Sequence, residues 1–230
     1  MENLITRKTA ILVDGGYYRV RSRDLWGSLS ATDRANELYQ YCLLHITVPQ
    51  EPRDLYRIFY YDCPPMTRTV KHPLTGNIID YSTMSGTRWS NDFYRQIVEK
   101  RKVALRMGEL AESTACFVLK DSALNDLLCG NKDISGLMES DFRMDVKQKG
   151  VDMRIGLDVA TLAQNKIVDQ IVLIAGDSDF LPVVKMARKS GIDVLLDPMK
   201  QFPKRSMQEH VDGIESYTDL MHQRVPENTK

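Results

Sequence analysis

The chain alternates short, dense apolar runs with longer stretches in which apolar residues recur every three or four positions. "TAILV" (9–13) is one such run and stops at Asp14-Gly15-Gly16, the form of a buried parallel strand entering a glycine turn. "DRANELYQYCLLHIT" (33–47) has helical spacing after an acidic start, and "DLYRIFYYDC" (54–63) alternates with aromatic and branched residues. Together they predict a strand, helix, strand unit. Residues 63–90, rich in Pro, Gly, Ser and Thr, predict a long exposed loop. A helix "NDFYRQIVEKRK", capped by Ser90 or Asn91, and a strand "VALRMG" come next. Residues 111–142 mix a strand "CFVLK", a helix "SALNDLLCG" and a polar connection, and read as an insertion.

Periodicity returns in "VDMRIGLDVATLAQ", a helix with Ile155, Val159, Leu162 and Ala163 on one face. "QIVLIAG", "DFLPVVKMARKS" and "IDVLLD" then form a βαβ unit whose strands have the uninterrupted apolar character of strands buried on both faces. From residue 205 the tail predicts one amphipathic helix and a short final segment. The expectation is a single α/β domain over residues 1–230, built on a mainly parallel sheet, with the loop at 63–90, the insertion at 111–142 and a helical tail at 205–230. A chain of 230 residues is long enough for one well-buried core.

Composition narrows the partners. Lys plus Arg and Asp plus Glu are 31 each, so no global basic field marks a non-specific DNA binder, and any nucleic-acid contact must be a local patch. The four cysteines are far apart with no C-x-x-C, which argues against a zinc cluster or a disulfide framework and for reduced, mostly buried thiols. The opening residues are too polar for a signal peptide, and no apolar run is long enough to span a membrane. These features predict a cytoplasmic protein with no membrane partner.

Candidate chemistry lies in the aspartates. In an open parallel sheet functional groups gather beyond the carboxyl ends of the strands, and Asp14 and Asp177 each stand at such an end. Asp152 opens the helix after "KQKG", and Asp179 and Asp158 are further candidates. Carboxylates about 4 Å apart repel by roughly 4 kcal/mol per pair at an effective dielectric of 20, and no basic residue adjoins them in sequence. A divalent cation with oxygen preference, Mg²⁺ or Mn²⁺, is the natural partner, and such a site suits in-line hydrolysis of a phosphodiester. Each Asp also reads as a turn residue or helix N-cap. With Asp179 as the cap, Pro182 falls at the third helical position, where its missing N–H would have no intrahelical acceptor. Asp158 flanks the apolar face of its helix.

Three blocks, "ILVDGGYY", "KQKGVDMRIGLDVATLA" and "IVLIAGDSDFLPVVKMARKSGIDV", resemble in order and spacing the NYN domains, in particular the LabA-like bacterial group, relatives of the PIN nucleases. The resemblance implies a PIN-like three-layer α/β/α sandwich, an acidic pocket for a divalent metal and ribonuclease activity. It carries the first-strand acid onto Asp14, the acid of the "KGVD" block onto Asp152, the final-strand acids onto Asp177 and Asp179, and a further helix acid onto Asp158. Many NYN domains have Asn three residues after the first acid; here that residue is Tyr17.

For an RNA partner, single-stranded or structured, phosphate contacts would fall to Arg19, Arg21 and Arg23 after the first acid and to Lys147, Lys149 and Arg154 around Asp152, with Tyr17, Tyr18 and Trp89 as stacking rings. A haloacid-dehalogenase-like phosphatase would need a D-x-D pair on the first strand, and "DGGYY" has none. A dinucleotide-binding domain would need G-x-G-x-x-G there. The remaining alternative is a catalytically weak PIN-like module that binds RNA or a protein in a regulatory role. Oligomeric state is left open.

Overall fold

In the computed structural model, which describes residues 6–223, six apolar runs assemble into one sheet. They are β1 (Arg7–Asp14), β2 (Arg53–Asp62), β3 (Val103–Met107), β4 (Gln170–Ile174), β5 (Asp193–Asp197) and β6 (Gly213–Ile214). Their spatial order is β6-β5-β4-β1-β2-β3, and every pairing is parallel. The helices are α1 (Gly15–Trp26), α2 (Ala31–Thr47), α3 (Ser85–Val98), α4 (Asp121–Leu128), α5 (Val151–Gln164) and α6 (Leu181–Lys189), with short turns of helix at Arg205–Gln208 and Thr218–Gln223. None is long and apolar enough to cross a membrane.

The sheet is covered on both faces, as its apolar strands require. Residues alternate in direction along a strand: Ala10 and Leu12, Phe59 and Tyr61, Ile171 and Leu173, and Val194 and Leu196 share one core with Ile155, Val159 and Leu162 of α5 and Val184 and Ala187 of α6. The intervening Ile11, Val13, Tyr60, Val172, Ile174 and Leu195 are equally buried. On that side the Tyr60 ring meets Phe93 of α3 at 5.4 Å, and Tyr41 and His45 of α2 reach Asp197. The result is a PIN-like α/β/α sandwich.

The Cα framework divides into two compact units. One comprises the residues up to Asp62, Asp92–Gly108 and those from Gly150 onward; the other comprises Cys63–Asn91 and Glu109–Lys149. The first holds the sheet. The second takes in all of the stretch expected as a loop and all of the expected insertion. It contains antiparallel pairs between Thr69–Lys71 and Ile78–Asp80, Glu109–Leu110 and Gln148–Lys149, and Cys116–Leu119 and Phe142–Asp145. Its core includes buried His72, whose ring lies 4.6 Å from Phe117 and 5.1 Å from Phe142.

Other departures from the sequence expectation are local. Helix α3 starts at Ser85, ahead of the expected caps Ser90 and Asn91, because its first turn is polar and carries no apolar period. The tail is not one helix: Gly213 and Ile214 pair with Leu195 and Leu196 as an edge strand too short to show a period. All four cysteines are free, with Cys42 and Cys63 buried and Cys116 and Cys129 exposed.

The turn from β1 into α1 fixes the geometry of the sheet's carboxyl rim. A Cβ on Gly15 would lie 2.5 Å from the Tyr61 carbonyl oxygen and 2.6 Å from the Tyr60 ring, so the close approach of α1 to β2 needs glycine. Gly15→Ala should therefore lower stability by about 1–3 kcal/mol, the usual cost of overpacking, as read by urea denaturation; a loss below about 0.5 kcal/mol would mean that the turn yields freely.

Candidate active site

The chain moves outward from β1 through β2 to β3, then returns to lay β4 against the other edge of β1 and continues through β5 to β6. The order reverses between β1 and β4, and a crevice opens at the carboxyl ends of such a pair. Asp14 ends β1, and Asp177 follows β4 after Ala175 and Gly176. Asp14 continues the alternation of Ala10 and Leu12, the residues that pack with α5, and Asp152 lies in the first turn of that helix.

Electrostatics link these acids. The Asp14 carboxyl is pushed up to about 6 by burial, with the nearby charges of Asp62 and Asp152 adding to the rise. The Asp152 carboxyl is raised by burial and by Asp177 and Asp179. Asp14, Asp152, Asp177 and Asp179 thus form one chain of mutually repelling groups. Two of them accept from backbone amides. Asp14 caps α1, Oδ1 accepting from Tyr17 N at 3.2 Å. Asp177 caps the turn Ser178–Phe180, Oδ1 accepting from Asp179 N at 3.1 Å. The cap is thus Asp177 where the sequence suggested Asp179, and α6 begins at Leu181, with Pro182 in its opening positions.

Three other aspartates are bonded to side chains. Asp158 Oδ2 accepts from Tyr61 Oη at 2.9 Å and Arg106 Nε at 3.0 Å, tying α5 to β2 and β3. Buried Asp62, at the end of β2, is paired with Arg19 at 3.0 Å and accepts from Tyr60 Oη at 3.2 Å. Asp197, buried at the end of β5, accepts from Tyr41 Oη, faces His45 Nε2 at 2.8 Å and accepts from Met199 N at 2.8 Å. Asp62 and Asp197 were not singled out from sequence, although "FYYD" and "VLLD" end on an acid just as "ILVD" does.

The expected RNA contacts are differently disposed. Tyr17 packs on the backbone, with its ring where a Cβ on Gly176 would come within 2.2 Å. Its hydroxyl donates to Pro198 O at 2.6 Å and Gln201 Oε1 at 3.1 Å. Tyr18 is buried, its hydroxyl on Glu37 at 3.1 Å. Arg19 is held by Asp62, and Arg21 donates to Met199 O at 2.9 Å. Arg23 is exposed in the last turn of α1, and Arg154 is exposed in α5. Lys147 and Lys149, both exposed, and half-buried Trp89 belong to the second unit.

As a donor set, the rim offers only carboxylate oxygens, the ligands that hard divalent cations prefer. Among the described residues no group of three or more His, Cys, Asp or Glu side chains is placed to hold a metal ion together. A cation of the Mg²⁺ type needs only one or two protein carboxylates, because waters and substrate phosphate complete its shell. The residues therefore fit an open site of this kind.

The raised Asp14 carboxyl has a signed consequence. Burial lets the folded chain take up this proton at about pH 6, against the ordinary carboxyl value of 3.8. Ionised Asp14 therefore destabilises the fold above about pH 6, and the penalty disappears as pH falls towards 4. Asp14→Asn keeps a capping side chain and removes the charge. In EDTA it should be more stable than the parent by about 1–2 kcal/mol at pH 7, with the gap closing near pH 4. Urea denaturation at the two pH values checks this, and an equal gap at both would contradict it.

Comparison with known proteins bears on the same residues. A family model described as the NYN domain matches residues 78–212, a span that includes Asp152, Asp158, Asp177 and Asp179 and begins after Asp14. Among solved structures, the crystal structure of a protein of unknown function from Vibrio parahaemolyticus aligns over 93% of this chain and 94% of that one, at 14% identity and a TM-score of 0.47. No curated protein matches the chain. The family match covers more than half of the sequence, and the chain belongs to the NYN family, within the PIN-like nuclease superfamily.

Proposed function

We propose that the protein is a LabA-like NYN ribonuclease that hydrolyses RNA phosphodiester bonds in a reaction dependent on a divalent cation. The observation that carries this reading is the set of carboxylates at the β1–β4 reversal. Burial raises the Asp14 carboxyl, with Asp62 and Asp152 adding to the rise, and raises that of Asp152, with Asp177 and Asp179 adding; the Asp14 carboxylate accepts from the backbone N–H of Tyr17. A site built to hold unneutralised charge is a site for a positively charged ligand. Mg²⁺ or Mn²⁺, held by Asp14 with Asp152 or Asp177, would supply charge neutralisation and Lewis acidity for in-line displacement at phosphorus.

The chain's own residues have separable roles in this scheme. Asp14, at the end of β1 and capped onto α1, would be the principal ligand of the cation. Asp152, Asp177 and Asp179 hold the rim negative, and the caps on Asp14 and Asp177 fix their carboxylates in place. Asp158, bonded to Tyr61 and Arg106, positions α5 and so Asp152. A second reading, an RNA- or protein-binding module with weak catalysis, is favoured by Tyr17 at the position where many relatives have Asn, and by the absence, among the described residues, of three or more acids placed to hold a metal ion together.

A cleavage assay on a panel of single-stranded and structured RNAs separates the two. The nuclease reading expects cutting with Mn²⁺ or Mg²⁺ and none in EDTA, with Asp14→Asn and Asp152→Asn each reducing the rate on the order of 100-fold or more while remaining folded. Cleavage that persists in EDTA or in both variants would contradict it. RNA bound but left intact would favour the second reading.

A further inference from the structure

The segment from Pro198 to Arg205, which leaves the carboxyl end of β5, presents one aromatic ring entirely to solvent. Phe202 is 98% exposed. Water should disfavour such a placement, yet the backbone that carries the ring is firmly anchored. Met199 and Lys200 have φ of 42° and 64°, the left-handed region that non-glycine residues adopt only when their surroundings impose it. The Met199 side chain is fully buried, and its N–H donates to Asp197 Oδ1 at 2.8 Å. Gln201 N closes a turn on Pro198 O at 2.8 Å. Pro203 restricts the backbone of Phe202 itself.

The same segment is bonded to the acidic rim. Tyr17, three residues from Asp14, donates to Pro198 O at 2.6 Å, and Arg21 donates to Met199 O at 2.9 Å. Lys204 Nζ donates to Ser178 Oγ at 2.9 Å, and Ser178 stands between Asp177 and Asp179. Phe202 is flanked in sequence by Lys200, Lys204 and Arg205. Lys200 pairs with Asp219, and Arg205 with Glu209 on an exposed turn of helix; such surface pairs exchange readily for phosphate.

We propose that Phe202 is a base-stacking residue for single-stranded RNA, set beside the acidic rim on a preorganised basic loop. The proposal rests on the nuclease reading of that rim and adds the form of the substrate. A ring held in the open on a segment that also carries cations is the arrangement by which proteins bind unpaired bases and their backbone. A protein partner would call for a contiguous apolar patch, whereas the exposed residues beside Phe202 in this segment, Lys200, Gln201, Lys204 and Arg205, are polar or basic. Tyr17, the ring suggested by sequence, is committed to Gly176 and Pro198; Phe202 is the solvent-facing ring on the same side of the sheet.

The test uses the full chain in EDTA with an RNA of about ten nucleotides carrying 2-aminopurine, alone and annealed to its complement. Wild type should bind the single strand and quench the probe. Phe202→Ala should lose the quench and weaken single-strand binding about 5- to 100-fold, with unchanged melting temperature and unchanged duplex binding. Phe202→Trp should retain both quench and affinity. If Phe202→Ala binds and quenches as wild type does, and the wild type still cleaves RNA when Mn²⁺ is restored, the stacking role is overturned and the nuclease reading stands. A wild-type chain that neither binds nor cleaves the RNA overturns both.

Discussion

The structure depends on how it handles negative charge at one edge of a parallel sheet. β1, β2 and β5 each end on an aspartate, and β4 is followed by Asp177. These acids crowd a rim whose floor is apolar, so each must be paired, hydrogen-bonded or left in need of a ligand. The solutions differ by position. Asp62 takes Arg19 and Tyr60; Asp197 takes Tyr41, His45 and a backbone amide. At the β1–β4 reversal Asp14 and Asp177 receive backbone caps, and burial, with repulsion from neighbouring acids, raises the carboxyls of Asp14 and Asp152 above the usual carboxylate range.

That division separates architecture from chemistry. Asp158, Asp62 and Asp197 are the acids that join elements: α5 to the sheet, α1 to β2, and α2 to β5. They are costly to break, because removing one partner leaves the other buried and unpaired. The acids left over stand where the strand order reverses, the position at which a sheet of this class receives its ligand. The loop after β5, bonded to α1 through Tyr17 and Arg21 and to Ser178 through Lys204, extends this rim with a fixed aromatic ring and basic side chains.

Much of this was legible in the sequence for definite physical reasons. Strands buried on both faces appear as unbroken apolar runs, so β1, β4 and β5, and the acids after β1 and β4, could be read directly, and the period of α5 gave Val151–Gln164 to the residue. What escaped depended on partners distant in the chain. Tyr17 bonds Pro198, Arg19 bonds Asp62 and Asp158 bonds Arg106, and nothing local to Tyr17 or Arg19 distinguishes a committed side chain from one open to RNA. In the second unit "CFVLK" and "SALNDLLCG" pointed to the strand Cys116–Leu119 and to α4, whereas its other strands, of two to four residues, are too short for alternation to register. Phe202 left a local trace, an aromatic residue within "KQFPKR", but only the structure identifies it as exposed.

The central claim is that the carboxylates at the β1–β4 reversal form a divalent-cation site. Anomalous diffraction from crystals soaked in Mn²⁺ at millimolar concentration tests it most directly, because it locates the ion without reference to activity. The account predicts a manganese peak about 2.0–2.3 Å from a carboxylate oxygen of Asp14, with Asp152 or Asp177 as a second ligand or bridged through water, and with waters filling the rest of the shell. Loss of that peak in Asp14→Asn would agree. A rim with no peak, or manganese bound only at acids elsewhere on the surface, would contradict it.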